Sequence, residues 1–173
     1  DILTIARERK TNMDYDYYSH VNNIHTRLAN MSLDNAFIHS IYVYINDNAL
    51  ISTAVTNSIM PYTSETIPIM QSNFYQEICQ SVYRTSFSTG HNSSDFHAYK
   101  NFTSEKASLI TLGCASNNTL ENGKRVIMIN ISVQMIATLL EECFGEDSLV
   151  YLLDENQQLL CSTNASVKTD LIS

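Results

Sequence analysis

An alternating run of β-branched and aromatic residues in the first half of the chain predicts a strand of an antiparallel sheet. Residues 41–45 read IYVYI, a period of two that is typical of a strand with two different faces. The polar triplet at 46–48 tolerates the backbone of a tight turn, and a second apolar stretch follows it. The segment 37–55 is therefore predicted to form a β-hairpin.

The same pattern returns near the end of the chain, in the segment 148–164. Tyr44 and Asp47 are spaced Y-x-x-D at the end of the first strand, and Tyr151 and Asp154 repeat that spacing. Each hairpin then returns through apolar residues to Ser-Thr, and each follows a predicted helix. Matching order as well as matching motif favours a duplicated module.

The first thirty residues are predicted to be one long helix. No Gly or Pro interrupts 2–32, and apolar residues recur about every 3.5 residues, a helical spacing. A helix of that length measures roughly 45 Å. It either lies on the sheet as an ordinary amphipathic helix or forms a stalk that also pairs with a partner subunit. The stripe consists of Tyr17, Val21, Ile24, Leu28 and Met31.

Between the two hairpins, the sequence predicts an aromatic, irregular segment followed by two strands and a helix. A helix is predicted at 69–83 and a polar loop at 88–97, inside an aromatic window where binding pockets are commonly found. Strands are predicted at 107–115 and 124–133, joined through an Asn-Gly turn. Helical spacing then covers 133–144.

Composition excludes several classes of function. Only four glycines are present among 173 residues, which leaves little material for a phosphate-binding loop. The formal net charge of −8 repels nucleic acid, so no nucleic-acid partner is expected. No run of 18 apolar residues occurs, and the chain starts inside a predicted helix, so we expect a piece of a longer protein. The four cysteines lie far apart in apolar stretches and are expected to be buried free thiols, with disulfides left open as the alternative.

This order of elements resembles that of the extracellular Cache domains, the PAS-like sensor modules of bacterial receptors. The matching features are the long N-terminal helix, the hairpin SIYVYINDNALISTAV, the irregular middle segment, and the strands ASLITLGCA and KRVIMINISV. The resemblance implies an α+β fold with a long N-terminal helix and a PAS-like antiparallel five-stranded sheet. Residues 134–173 resemble the passage from the membrane-distal to the membrane-proximal module of double Cache receptors.

The resemblance implies three parts. Residues 1–36 would be the stalk helix, 37–133 a complete membrane-distal module, and 134–173 a connecting helix with the first hairpin of a second module. The alternative is a single module whose sheet includes the last hairpin.

The family's ligand motif fits this sequence incompletely. Amino-acid-binding members hold the ligand carboxylate with an aromatic and Arg cluster, and the ammonium with a Tyr and two Asp. Arg84 and Tyr99 match the Arg and the Tyr, but Trp is absent and the Asp positions fall on Asn101 and Asn130. Neutral amides do not balance a buried ammonium. We therefore expect a small polar ligand such as a sugar or polyol, and an amino acid is disfavoured.

No catalytic residues, cofactor or metal site are predicted. His91, Asp95 and His97 form an H-x3-D-x-H pattern, but nothing in the sequence enforces metal geometry there. Asn130 faces either the ligand or solvent, since both faces of its strand are possible. The predicted ligand-binding residues are Tyr44, Tyr75, Arg84, His97, Tyr99, Asn101 and Asn130.

The expected function is sensing of a small molecule on the extracellular side of a bacterial membrane, within a membrane-anchored histidine kinase or similar receptor. Ligand binding would shift the long helix. The alternative is a ligand-free module for dimerisation through that helix or for interaction with another protein.

Overall fold

The computed structural model describes most of the chain: residues 15–45, 49–54, 60–61, 67–81, 84–96, 108–118, 123–145, 147–153, 157 and 159–163. The helices are α1 (Tyr15–Leu33), α2 (Asn73–Gln80) and α3 (Val133–Phe144), with 3-10 turns at Pro68–Gln71 and Ser93–Phe96. The strands are β1 (Ile38–Ile45), β2 (Ala49–Ser52), β3 (Met60–Pro61), β4 (Thr85–Asn92), β5 (Ser108–Asn118), β6 (Gly123–Ser132), β7 (Tyr151–Leu153) and β8 (Leu159–Ser162). Within these ranges, no helix is long and apolar enough to cross a membrane.

The central feature is an antiparallel sheet in the order β3-β2-β1-β6-β5-β4. The two central strands, β1 and β6, lie far apart in the sequence and pair from Ile38 opposite Ile131 to Ile45 opposite Arg125, with a register shift between Ile38 and Ser40. The predicted α+β fold with a five-stranded sheet is confirmed. The sixth strand, β3, adds two residues to the edge beside β2.

Helix α1 covers one face of this sheet. Val21 is buried against Val43, Ile45 and Ile51. Two further residues of the predicted helical stripe, Ile24 and Leu28, pack against the same cluster. The stripe therefore binds the sheet, as expected of an amphipathic helix. The part of the predicted helix before residue 15 lies outside the described residues.

The opposite face carries the main hydrophobic core, which is covered by α2 and the two 3-10 turns. Since side chains of a strand alternate between faces, Tyr42 and Tyr44 point to this side while Val43 and Ile45 point towards α1. The core members are Tyr42, Tyr44, Leu50, Ile67, Ile69, Met70, Phe74, Tyr75, Ile78, Phe96, Leu109, Ala115, Val126 and Met128.

Helix α2 begins where the Ser72 side chain accepts a hydrogen bond from the backbone N–H of Tyr75, an N-cap. Its buried residues include Phe74 and Ile78. Together with the 3-10 turn before it, α2 replaces the single helix predicted at 69–83. The residues at 82–83 lie outside the described part.

The predicted polar loop at 88–97 is corrected by the structure. Residues 85–92 form the edge strand β4, which pairs with β5 from Thr85 opposite Cys114 to Asn92 opposite Ser108. Its Ser, Thr and Gly residues show no apolar alternation, because an edge strand with half-exposed positions does not require one. The register shifts between Ser88 and His91.

The final hairpin forms a separate two-stranded sheet of β7 and β8. Thr163 closes it: its hydroxyl accepts from the backbone N–H of Val150 at 3.1 Å and donates to the carbonyl of Ser148 at 2.7 Å. Helix α3, which leads into it, is confirmed over 133–144. All four cysteines are free thiols, but only Cys161 is buried as predicted: Cys79 and Cys114 are half-buried and Cys143 is exposed.

Candidate functional site

A row of small polar side chains crosses the main-core face of the sheet near one end. Ser40 on β1 lies opposite Asn130 on β6, Asn130 lies opposite Thr111 on β5, and Thr111 lies opposite Ser88 on β4. Ser40, Thr111 and Asn130 are all completely buried. Buried polar groups are costly unless they are hydrogen-bonded, so the row needs internal partners.

Those partners form a short chain of hydrogen bonds. The Thr111 hydroxyl donates to Asn130 Oδ1 at 2.8 Å, and Asn130 Nδ2 donates to the Ser40 hydroxyl at 3.2 Å. The Ser40 oxygen lies 3.1 Å from Nδ1 of His39. Burial lowers the pKa of His39, which favours the neutral ring that can accept the Ser40 proton. The network therefore runs from the middle of the sheet to its surface.

Next to this row lies a cluster of rings. Tyr42 stacks on Phe96 with centroids 5.2 Å apart, and His91 stands nearly perpendicular to Phe96 at 5.8 Å. His91 also lies 5.6 Å from Phe74 of α2. The hydroxyl of Tyr44 donates to the backbone carbonyl of Phe96 at 3.1 Å, which fixes the 3-10 turn that carries Phe96.

Two polar atoms in this ring cluster are buried without a hydrogen-bond partner in the described part of the chain, the Tyr42 hydroxyl and His91 Nε2. Burial raises the pKa of the Tyr42 hydroxyl, and the nearby Ser40 and Ser52 hydroxyls lower it as hydrogen-bonding groups, although neither meets the geometry of a hydrogen bond in this structure. A buried polar atom left without a partner costs ~1–3 kcal/mol. A ligand that supplies partners removes that cost.

The other nitrogen of His91 faces a carboxylate. Nδ1 lies 4.0 Å from Asp95 Oδ2, and the same oxygen accepts from the backbone N–H of Asn92 at 2.8 Å, which holds the carboxylate in place. Burial lowers the pKa of His91, and Asp95 only partly opposes this. His91 is therefore neutral at pH 7, and the adjacent carboxylate favours the tautomer with its proton on Nδ1.

The structure places four of the predicted site residues. Tyr44 and Tyr75 are buried in the main core with their rings edge to face at 5.9 Å, and Asn130 is buried in the polar row rather than facing solvent. Arg84 is exposed, immediately before β4. The remaining predicted residues, His97, Tyr99 and Asn101, lie outside the described residues.

Sequence reasoning did not select Tyr42 as a site residue or His91 as a ligand contact. The alternation of 41–45 places Tyr42 on the same face as Tyr44, so that signal was present in the sequence. The H-x3-D spacing of His91 and Asp95 was also visible, but it was considered only as part of a metal motif. Among the described residues, no group of three metal-ligating side chains comes together.

Comparisons with known proteins identify the fold. No protein-family model matches the sequence, and no curated protein matches it. The ligand-binding domain of the Campylobacter jejuni chemoreceptor Tlp3 in complex with L-norvaline superposes with a TM-score of 0.59 at 14% identity, over 98% of this chain and 64% of that one. The Tlp3 sensory domain with isoleucine bound gives 0.54 at 13% identity, over 98% of this chain and 63% of that one.

A third solved structure, the extracellular domain of the candidate histidine kinase rpHK1S-Z16, gives a TM-score of 0.58 at 10% identity, over 92% of this chain and 58% of that one. The chain thus spans less than two thirds of the length of these three structures.

These structures correct the prediction of a sugar or polyol ligand that disfavoured an amino acid. Domains of this fold bind L-norvaline, L-valine and isoleucine. The prediction rested on the neutral amides at positions 101 and 130, but a negative charge also lies near the ring cluster, on Asp95 beside His91.

The resemblance inferred from the sequence is confirmed at the level of the fold. The chain superposes over most of its length on a chemoreceptor ligand-binding domain and on the extracellular domain of a candidate histidine kinase. This chain has the fold of the extracellular ligand-binding sensor domains of bacterial receptors.

Proposed function

We propose that this chain is an extracellular sensor domain that binds a small molecule between the main-core face of the sheet and the segment 67–96. The observation that carries the proposal is the pair of buried, unpartnered polar atoms on Tyr42 and His91, beside the buried row of Ser40, Asn130 and Thr111. Apolar walls with a few convergent polar groups are typical of small-molecule sites.

The ligand class that we propose is an aliphatic L-amino acid. The rings of Tyr42, Phe74 and Phe96 are buried together in the main core. An aliphatic side chain would therefore bind by entering this closed apolar cluster, where the polar atoms beside the rings would be partners for its charged groups. The amino acids bound by Tlp3 support this choice. The predicted contacts Tyr44, Tyr75, Arg84, His97, Tyr99, Asn101 and Asn130 remain part of the proposal.

Binding would be transmitted through β1, because this strand contributes Tyr42 to the ligand face and Val43 to the face that packs on α1. A ligand that favours one arrangement of α1 over another shifts the population towards it. A tenfold preference corresponds to about 1.4 kcal/mol. The output would lie in the rest of the protein, a histidine kinase or a chemoreceptor.

We further propose that residues 134–173 form a connecting helix and the first hairpin of a second, membrane-proximal module. The hairpin of β7 and β8 does not join the six-stranded sheet. Around α3 and this hairpin, large apolar side chains are exposed in a way that a further domain would cover. They are Met135, Leu139, Phe144, Leu149 and Leu153.

Isothermal titration calorimetry of the chain with L-isoleucine, L-valine and L-norvaline tests the ligand proposal, with D-isoleucine and glucose as controls. We expect saturable binding of at least one L-amino acid and a rise in melting temperature with its concentration. Absence of binding by all three would contradict the proposed ligand class and favour a ligand-free interaction module.

A further inference from the structure

We infer that Asp95 and His91 together form the ammonium-binding end of the ligand site. This assignment rests on the proposed function, and it names the residues that supply the negative charge. Two neutral amides at 101 and 130 do not provide that charge, so another part of the site must.

The geometry of His91 suits an acceptor role. Its Nδ1 faces the Asp95 carboxylate at 4.0 Å, so the ring proton belongs on Nδ1 and the lone pair on Nε2. Nε2 is buried and unpartnered in the described part of the chain. An ammonium N–H pointing at Nε2 would satisfy it with a charge-assisted hydrogen bond.

Asp95 supplies the complementary charge through the ring. Its carboxylate is held by the backbone N–H of Asn92 and lies at the far side of the imidazole from Nε2. A carboxylate behind a histidine stabilises positive charge in front of it, as in carboxylate–histidine pairs that orient the imidazole for metals. The arrangement thus binds an ammonium without placing a bare carboxylate in the apolar cluster.

The surrounding rings strengthen this interaction. His91 lies against Phe74 and Phe96 at centroid distances of 5.6 and 5.8 Å, and water is displaced from around its buried nitrogen. Electrostatic attraction is stronger where the effective dielectric constant is low. Phe96 also stacks on Tyr42, so the hydroxyl of Tyr42 belongs to the same cluster and remains for another polar group of the ligand.

Calorimetric titration of L-isoleucine into single variants tests the assignment. His91→Phe keeps an aromatic ring against Phe74 and Phe96 but removes the acceptor, and we expect at least tenfold weaker binding. Asp95→Asn keeps an oxygen that accepts from Asn92 and removes only the charge, so a smaller loss of about threefold to tenfold is expected. His20→Gln is the matched control, since His20 is exposed on α1, which covers the opposite face of the sheet, and it should bind like the wild type.

A second readout is the ligand's own ammonium. The wild type should bind the 2-oxo acid analogue of isoleucine, which lacks that group, much more weakly than isoleucine, and His91→Phe should lose most of this discrimination. Circular dichroism and the melting temperature of each variant confirm that it is folded, and His91→Leu, which also lacks an acceptor, serves in place of the Phe variant if the latter unfolds.

The outcomes separate the two proposals. Wild-type binding that is unchanged in both His91→Phe and Asp95→Asn overturns this assignment and leaves the proposed function intact. A wild type that binds none of the three L-amino acids overturns the ligand class and the assignment together.

Discussion

The side chain of Ile78 on α2 lies directly over Gly113 on β5, so close that a β-carbon at position 113 would collide with Ile78 Cδ1 and touch Cγ1. Gly113 pairs with Met128 on one side and with Ser86 on the other. The absence of a side chain at this position is what allows α2 to pack on the sheet and cover the ring cluster.

Gly113→Ala should therefore destabilise the domain by about 1–3 kcal/mol, the usual cost of overpacking. Urea unfolding followed by circular dichroism measures the change. Ile78→Val removes the Cδ1 atom that would collide and alone costs about 0.5–1.5 kcal/mol. The double variant should be more stable than the sum of the two changes predicts. Strict additivity would show that the two positions are not in contact.

The buried polar row predicts a large cost for an apolar residue at its centre. Asn130→Leu removes the acceptor of the Thr111 hydroxyl and the amide that donates to the Ser40 hydroxyl, and losing both buried hydrogen bonds should cost at least ~2 kcal/mol. Asn30→Leu, at an exposed position of α1, is the control and should change the free energy of unfolding by less than about 0.5 kcal/mol. Equal effects of the two substitutions would argue against the network.

Substitution of Tyr42 distinguishes a contribution of its hydroxyl to stability from a contribution to ligand binding. Tyr42→Phe removes a buried hydroxyl that has no hydrogen-bond partner among the described residues, so the free energy of unfolding should stay the same or rise by ~1 kcal/mol. The affinity for L-isoleucine should fall by about tenfold. A clear loss of stability would mean that the hydroxyl is satisfied within the protein.

Stability should also fall as the pH is lowered. Burial depresses the pKa of His91 and of His39 below the ordinary value of 6.5, so below pH 6.5 the unfolded chain binds protons that the folded one does not. Asp95 is the charged group that acts on His91, while Phe74 of α2, Phe96 of its 3-10 turn and Leu109 of β5 face it as apolar groups.

The measurement is the urea midpoint at pH 7.5 and at pH 5.5. The wild type should lose stability over this interval, and the variant with both His91→Phe and His39→Gln should lose less. An identical pH dependence in the two proteins would assign the effect to other groups.

Most of the fold could be predicted from the sequence because its elements carry strong periodic signals. The alternation of residues 41–45 fixed β1 and its two faces, and α3 was located correctly over 133–144 because its apolar residues recur at helical spacing. Strand β4 could not be predicted, because TSFSTGHN contains a single large apolar residue and pairs with β5 only once the sheet exists.

The candidate site was less predictable for a related reason. The burial and the preferred tautomer of His91 depend on Asp95 four residues later, on Phe74 of α2 and on Phe96. Only the spacing to Asp95 is visible in the sequence. The burial of Asn130 likewise depends on which face α2 covers. Residue type alone therefore points to the neutral amides of Asn101 and Asn130, and not to His91 and Asp95, as the polar groups that would contact a ligand.

The pairing of β1 with β6 limits how this domain can move. Helix α1 leads into the start of β1 and α3 leaves from the end of β6, and these strand ends are neighbours, with the N–H of Ser132 donating to the carbonyl of Phe37 at 3.1 Å. Both faces of β1 are buried, so sliding it along β6 by one residue would turn Tyr42 from the main core towards α1 and Val43 from α1 towards the main core. Relative motion of α1 and α3 must therefore occur by tilting or twisting about this fixed strand pair, and not by translation along it.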